Sequence, residues 1–238
     1  MRKLLQVTVL CASVAVSKAQ EIVYDQYAEI REVSNYERLK ITGAITVYLT
    51  QGQKPALAIS SEDGKFNNKI KTEVKNGELK ISVESGNWNN WNWGNKSLKA
   101  YVTVTTINEL EINGASNCKI TDKLNCTDLN IEINGASTLK GELASGSLTL
   151  ELSGASIAEV TGTAKDLEVT ASGASGYRGF QLQTQNASTS ASGASTISVY
   201  VIQTLKASAS GLSSIHYKGD AVIQQVNVSG GSSIRKKD

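Results

Sequence analysis

A chain of 238 residues with one Pro, 20 Gly and only 19% charged residues carries a formal net charge of +2. That surplus sits at the N-terminus: with Arg2, Lys3 and Lys18 set aside, 21 basic residues face 22 acidic ones. Nothing electrostatic then draws the chain to nucleic acid or an anionic membrane, and no later apolar run is long enough for a transmembrane helix.

Residues 1–19 read as a secretory signal peptide. Arg2 and Lys3 precede an apolar stretch from Leu4 to Val16, and Ser17-Lys18-Ala19 supplies the small-x-small cleavage triplet. Leu10 stands where a lipoprotein signal before Cys11 needs a small residue, which disfavours lipidation. The expected destination is the periplasm, the extracellular space or the cell surface. Residues 20–33 read as a linker, and 34–238 as one β unit with an entry layer (34–105) and regular coils (106–238).

In the entry layer Leu39 and Ile41 precede Gly43-Ala44 by four and two residues, and Val47 and Leu49 follow by four and six. Asn76-Gly77 lies between two alternating runs, Ile70, Thr72, Val74 and Leu79, Ile81, Val83. Both turn residues tolerate positive φ, so the pair predicts a tight hairpin. The segment Asn87-Trp88-Asn89-Asn90-Trp91-Asn92-Trp93-Gly94-Asn95 then holds all three Trp of the chain. Exposed rings beside amides suit carbohydrate, because sugar C–H faces stack on the ring while Asn bonds to hydroxyls. Trp88, Trp91, Trp93, Asn90 and Asn92 are therefore candidate ligand-binding residues. The blander reading, that the rings fold back over the coil stack or form a loop without such a role, carries more weight.

From residue 106 a repeat takes over. Gly-Ala-Ser begins at Gly114, Gly135, Gly154, Gly173 and Gly193, with degenerate copies at Gly211 and Gly230; the steps are 21, 19, 19, 20, 18 and 19 residues. Apolar residues stand two and four before the glycine (Ile112 and Leu110, Ile133 and Ile131, Leu152 and Leu150) and four and six after it (Cys118 and Ile120, Ala158 and Val160, Ile197 and Val199). A period of two on both sides means two short strands with one inward face and a bend at the glycine. A unit of this size cannot bury its apolar face alone, so neighbours must stack on it. The expected fold is all-β: a right-handed parallel β-helix with coils of about 19 residues, about 4.8 Å apart. Smaller inward residues late in the chain, such as Ala187, Thr189 and Ala191, predict a thinner core there, and the terminal Arg235, Lys236 and Lys237 a weak electrostatic cap.

Other chemistry-bearing residues are sparse. Cys118 and Cys126 form either a disulfide across one coil or two separate thiols. His216, the sole histidine, is read as a solvated wall residue, and Glu111, Glu132, Glu151 and Glu168 as an outward acidic stripe relieved by nearby Lys and Arg. Nothing calls for a metal or cofactor.

The stretches Leu39-Lys40-Ile41-Thr42-Gly43-Ala44, Val47-Tyr48-Leu49-Thr50-Gln51-Gly52, Asn76-Gly77-Glu78-Leu79-Lys80-Ile81 and Leu110-Glu111-Ile112-Asn113-Gly114-Ala115-Ser116, in this order, resemble the bacterial family described as "putative auto-transporter adhesin, head GIN domain". The resemblance implies a secreted or periplasmic β-helical protein of Bacteroidetes-type bacteria, and it brings no catalytic residues. The leading expectation is a non-enzymatic binding or scaffold protein with a glycan or cell-envelope partner. A carbohydrate-active enzyme would need paired carboxylates in a cleft, and self-assembly through open coil ends is a third possibility.

Overall fold

The structure, a computed structural model, describes residues 25–83 and 97–238. The expected signal peptide, residues 20–24 of the expected linker and the tryptophan segment lie outside the described residues. Seventeen strands follow in chain order: β1 (Glu29–Arg31), β2 (Arg38–Gly43), β3 (Thr46–Gln51), β4 (Ala56–Ser61), β5 (Ile70–Lys75), β6 (Glu78–Val83), β7 (Leu98–Val104), β8 (Glu109–Gly114), β9 (Asn117–Ile120), β10 (Leu124–Ile133), β11 (Thr138–Leu152), β12 (Ile157–Ala171), β13 (Gly176–Ala191), β14 (Thr196–Ala209), β15 (Ser214–Lys218), β16 (Val222–Val228) and β17 (Ser233–Lys236). A 3-10 turn at Asn67–Lys69 precedes β5.

The coils stack in parallel, and the backbone bonds run from coil to coil as the repeat predicts. One wall is built from β6, β2, β8 and the C-terminal stretches of β10 to β14, ending on β16. The other is built from β7, β3, β9 and the N-terminal stretches of β11 to β14, ending on β15 and β17. The Gly43 coil lies directly on the Gly114 coil, with Gly43 in register with Gly114. The residues between them, through the antiparallel β5–β6 hairpin and β7, form the layer on its far side, which antiparallel β4 and β1 extend. At the hairpin turn Asn76 and Gly77 take φ of 50° and 75°.

The repeat glycines are required twice over. Gly114 to Gly230 hold φ between 70° and 86°, where a Cβ is strained. Each glycine also lies on the carbonyl of the one before: a Cβ on Gly154 would stand 2.6 Å from the Gly135 oxygen. That close approach lets the ladder continue through the corner, with Ala155 N–H donating to Gly135 O at 2.8 Å and Ala174 N–H to Gly154 O at 2.7 Å. The serine of the triplet turns inward and is buried in the coils from Ser116 to Ser213, while the alanine faces solvent. Ser195 Oγ donates to Ala171 O and Ser213 Oγ to Ala191 O, both at 3.0 Å, so these hydroxyls are buried without loss of a hydrogen bond, whereas the buried Ser156 Oγ has no partner among the described residues.

Two expectations need correction. Each regular coil is not two short strands: β11 to β14 run unbroken for 14 to 16 residues around the second corner. In β11 the buried positions shift from Leu139 and Leu143 to Leu148, Leu150 and Leu152, so the inward face changes parity while pairing to β12 persists from Leu143 to Leu148. With both neighbouring coils holding the backbone, this corner needs no turn sequence. The small inward residues that predict a thinner core also occupy one wall only. In the coil with Ala187, Thr189 and Ala191 on one wall, the other presents the fully buried Tyr177; in the preceding coil Ala158 is matched by Leu167 and Val169.

The inward columns end on Ile223, Val226 and Val228, which are 43%, 46% and 50% exposed. They are covered from below by Leu205, Ala207 and Ala209, and among the described residues no further coil lies above.

Candidate functional site

The described residues that flank the tryptophan segment in the chain are Val83 and Ser97. Residues 84–97 join β6 to β7, the walls that Gly43 and its successors join with a short turn elsewhere. Val83 abuts the Gly43 corner, where a Cβ would meet the Val83 Cβ at 3.0 Å, and Lys99 is in register with Thr46 just beyond it. The candidate residues Trp88, Trp91, Trp93, Asn90 and Asn92 fall between these two anchors in the chain and lie outside the described residues.

Beside the second anchor lies a cluster the sequence did not flag. Tyr48 and Tyr101, partners on β3 and β7, stack with centroids 5.3 Å apart and planes 14° apart. Lys119 Nζ lies 5.7 Å from the Tyr48 ring centroid on the next strand, and the Tyr101 hydroxyl donates to Asp25 Oδ2 at 2.8 Å. One face of each tyrosine is therefore turned to the other, and a cation lies over Tyr48, which suits a wall ladder better than a sugar-stacking platform.

Asp25 is the hub of that cluster. Its carboxylate also accepts from Ser60 Oγ at 2.9 Å and from the Tyr27 amide at 3.1 Å, with Lys99 Nζ at 3.6 Å. Burial pushes its pKa up, but the bonds from Tyr101, Ser60 and Tyr27 and the Lys99 charge outweigh it, and the net direction is down. A carboxylate depressed in the folded state stabilises above its unfolded pKa and loses that contribution as pH falls through the folded value. Below about pH 4, amide hydrogen exchange around Ala28–Arg31 is therefore expected to accelerate ahead of exchange in the coils, and Asp25→Asn should remove most of this pH dependence.

On the opposite wall the acidic stripe is corrected. Glu111, Glu132 and Glu151 are in register, but Glu168 is opposite Thr149, one outward row away. The file continues into Lys40 and Lys80, and Lys40 Nζ approaches Glu111 Oε2 at 2.6 Å. Burial raises Glu111, yet the bonds from Lys40 and Asn113 bring it below the usual carboxylate value. Glu132 is raised, first by burial and then by Glu111 and Glu151 on either side. Asn113, Asn134 and Ser153 run beside this file as a hydrogen-bonded ladder: Asn134 Nδ2 donates to Asn113 Oδ1 at 3.0 Å, and Ser153 Oγ to Asn134 Oδ1 at 2.6 Å. Among the described residues no group of three or more His, Cys, Asp or Glu is placed to hold a metal ion.

Cys118 is buried and Cys126 partly so, and both are free thiols. Burial pushes them up to about 12 and about 11, which leaves little thiolate at neutral pH. His216 sits on the outer wall between Ser198 and Arg235. Burial, with Lys237 and Arg235 nearby, lowers its pKa and favours the neutral ring. A shallow depression of about 370 Å³ on the β5–β6 hairpin is lined by Lys71, Thr72, Glu73, Lys80 and Ser82 and contains a single carboxylate.

Two continuous walls of coils stacked in parallel and joined at a shared glycine corner define a parallel β-solenoid protein. Residues 35–221 match the family described as "Putative auto-transporter adhesin, head GIN domain", and the chain belongs to that family. A solved "putative adhesin" from Bacteroides fragilis is 21% identical, with a TM-score of 0.81 over 88% of this chain and 96% of that one. A "putative adhesin" from Parabacteroides distasonis is 18% identical, with a TM-score of 0.70 over 88% and 96%. A "putative lipid binding protein" from the same species is 23% identical, with a TM-score of 0.63 over 89% and 96%. At these identities the likeness is one of fold. No curated protein matches the chain.

Proposed function

We propose that this is an exported, non-enzymatic binding protein of the bacterial cell envelope, and that its recognition element is the segment between β6 and β7 that carries Trp88, Trp91, Trp93, Asn90 and Asn92. The ligand class is carbohydrate. One observation carries the reading: all three tryptophans of the chain fall within residues 84–97 between β6 and β7, whereas two residues join β2 to β3 and β8 to β9 on the same two walls. A stack of hydrogen-bonded coils is a rigid mount for such a segment, and rigidity lowers the entropy lost on binding. The family match and the description of its structural relatives as putative adhesins support binding rather than catalysis. A carbohydrate-active enzyme would need two carboxylates facing each other across a cleft, whereas Glu111, Glu132 and Glu151 share one wall.

The test is a glycan array followed by titration of the hits, with the wild type and a Trp88→Ala, Trp91→Ala, Trp93→Ala variant. Loss of three stacking rings is expected to weaken binding by about tenfold or more without changing the far-UV circular dichroism spectrum. Equal affinity of the two proteins would remove the segment from the reading. Binding to phospholipid vesicles with no glycan hit would replace carbohydrate with lipid.

A further inference from the structure

We propose that the outer face of the wall ending on β17 binds an acidic polysaccharide laid along the stack axis, with its anionic groups over Arg178 and Arg235. This surface does not rest on the tryptophan segment. The near balance of charge over the whole chain conceals two walls of opposite sign. From β8 onward the outward positions of the wall ending on β16 carry Glu109, Glu111, Glu132, Glu151 and Glu168 against Lys206. From β9 onward those of the other wall carry Lys119, Lys140, Arg178, Lys218 and Arg235 against Glu142 and Glu159. Both of these carboxylates already have a cation: Lys140 Nζ lies 2.8 Å from Glu159 Oε1, and Lys123 Nζ 3.9 Å from Glu142 Oε1.

The basic groups form a line. Lys140, Glu159, Arg178, Ser198, His216 and Arg235 are successive partners in one outward row. Arg178 and Arg235, three coils and about 14 Å apart, are exposed, and neither is ion-paired among the described residues. Two residues earlier on each strand, Thr196, Ser214 and Ser233 form a parallel row in register, whose hydroxyls can donate to and accept from a sugar. The wall lacks what other polyanions require. Single-stranded nucleic acid stacks its bases on open aromatic faces, whereas Tyr48 and Tyr101 stack on each other and Lys218 Nζ lies 5.3 Å from the Phe180 ring centroid. An anionic bilayer takes up apolar side chains as well as charge. The exposed large apolar residues of the coils are Leu212 at the glycine corner, Ile202 at the second corner and those of β16 on the other wall.

The experiment is isothermal titration calorimetry of the purified full chain at low salt with polygalacturonate and with dextran sulfate. Methyl-esterified polygalacturonate and dextran are their uncharged counterparts. Wild type is expected to bind one or both polyanions and neither counterpart, and to lose affinity as salt rises; the polyanion held tells carboxylate from sulfate. Arg178→Glu and Arg235→Glu should each weaken binding about tenfold or more. Lys206→Glu, the same change of charge on the opposite wall, should bind like wild type, and so should the variant with Trp88, Trp91 and Trp93 replaced by Ala. If a glutamate disturbs the wall, Arg178→Gln combined with Arg235→Gln removes both charges without adding a like one, and should lose affinity with an unchanged circular dichroism spectrum. Failure to bind either polyanion, equal binding of the uncharged polymers, arginine variants that bind like wild type, or an equal loss in Lys206→Glu would each overturn the proposal. Tighter binding to single-stranded DNA or to phosphatidylglycerol vesicles than to both polysaccharides would do the same.

Discussion

Gly154→Ala is expected to destabilise the protein by about 2–5 kcal/mol, from a left-handed backbone forced on an L-residue and from overpacking against a backbone atom that cannot move aside. The new Cβ would stand 2.6 Å from the Gly135 carbonyl oxygen, which already accepts the Ala155 N–H at 2.8 Å. Relief would require the two coils to part at the corner, breaking the ladder where it turns. For a chain of this size the melting temperature should fall by roughly 10 °C. Gly176→Ala is the control: it lies in β13, and a Cβ there meets nothing within 4 Å. Little change or a slight gain is expected. Thermal and guanidinium unfolding followed by circular dichroism compare the two, and equal losses would contradict a glycine column stacked carbonyl on Cα.

Tyr177 carries the second large effect, and its two truncations should diverge. The side chain is fully buried, and its ring folds back against its own strand at Gly179, where a Cβ would collide with it. Burial drives the phenol pKa well above its ordinary value. Tyr177→Ala would empty the volume that fills the coil opposite Ala187, Thr189 and Ala191, and a loss of about 3–5 kcal/mol is expected. Tyr177→Phe removes a hydroxyl that has no hydrogen-bond partner among the described residues, so stability should hold or rise by up to about 1 kcal/mol. Denaturant midpoints of the two variants decide it: a phenylalanine variant that loses more than about 1 kcal/mol would mean that the hydroxyl is bonded.

Much of this architecture was legible because stacking makes sequence and space commensurate. Counting back two from each glycine yields Ile112, Ile133, Leu152, Ala171, Ala191, Ala209 and Val228, and these residues form one inward column. The same counting, four residues after Gly173, lands on Tyr177. What it missed follows from its dependence on the glycine. The second corner has no equivalent marker, since its backbone is held by the coils on either side, so one long bent strand reads as two short ones. Glu168 joins the acidic file only if residues five and three before a glycine are taken as one row, and they are separate rows. The Asp25 cluster lies outside the repeat and is assembled from Tyr101 and Ser60, 76 and 35 residues away; no local pattern announces it. For the candidate site, composition alone singled out the tryptophans, and the fold describes only the strands on either side of them, β6 ending at Val83 and β7 beginning at Leu98.

The Gly43 coil meets its neighbour across a much longer span of chain than any later coil does. Ser116 reaches back to the Gly43 carbonyl across 73 residues, whereas Asn134 and Ser153 reach theirs across 21 and 19. Loop-closure entropy grows with the logarithm of length, so this junction costs about 1 kcal/mol more to form than each later one. The regular coils can therefore zip one upon the next through short closures, and the entry layer gains most by docking last onto an end that is already built.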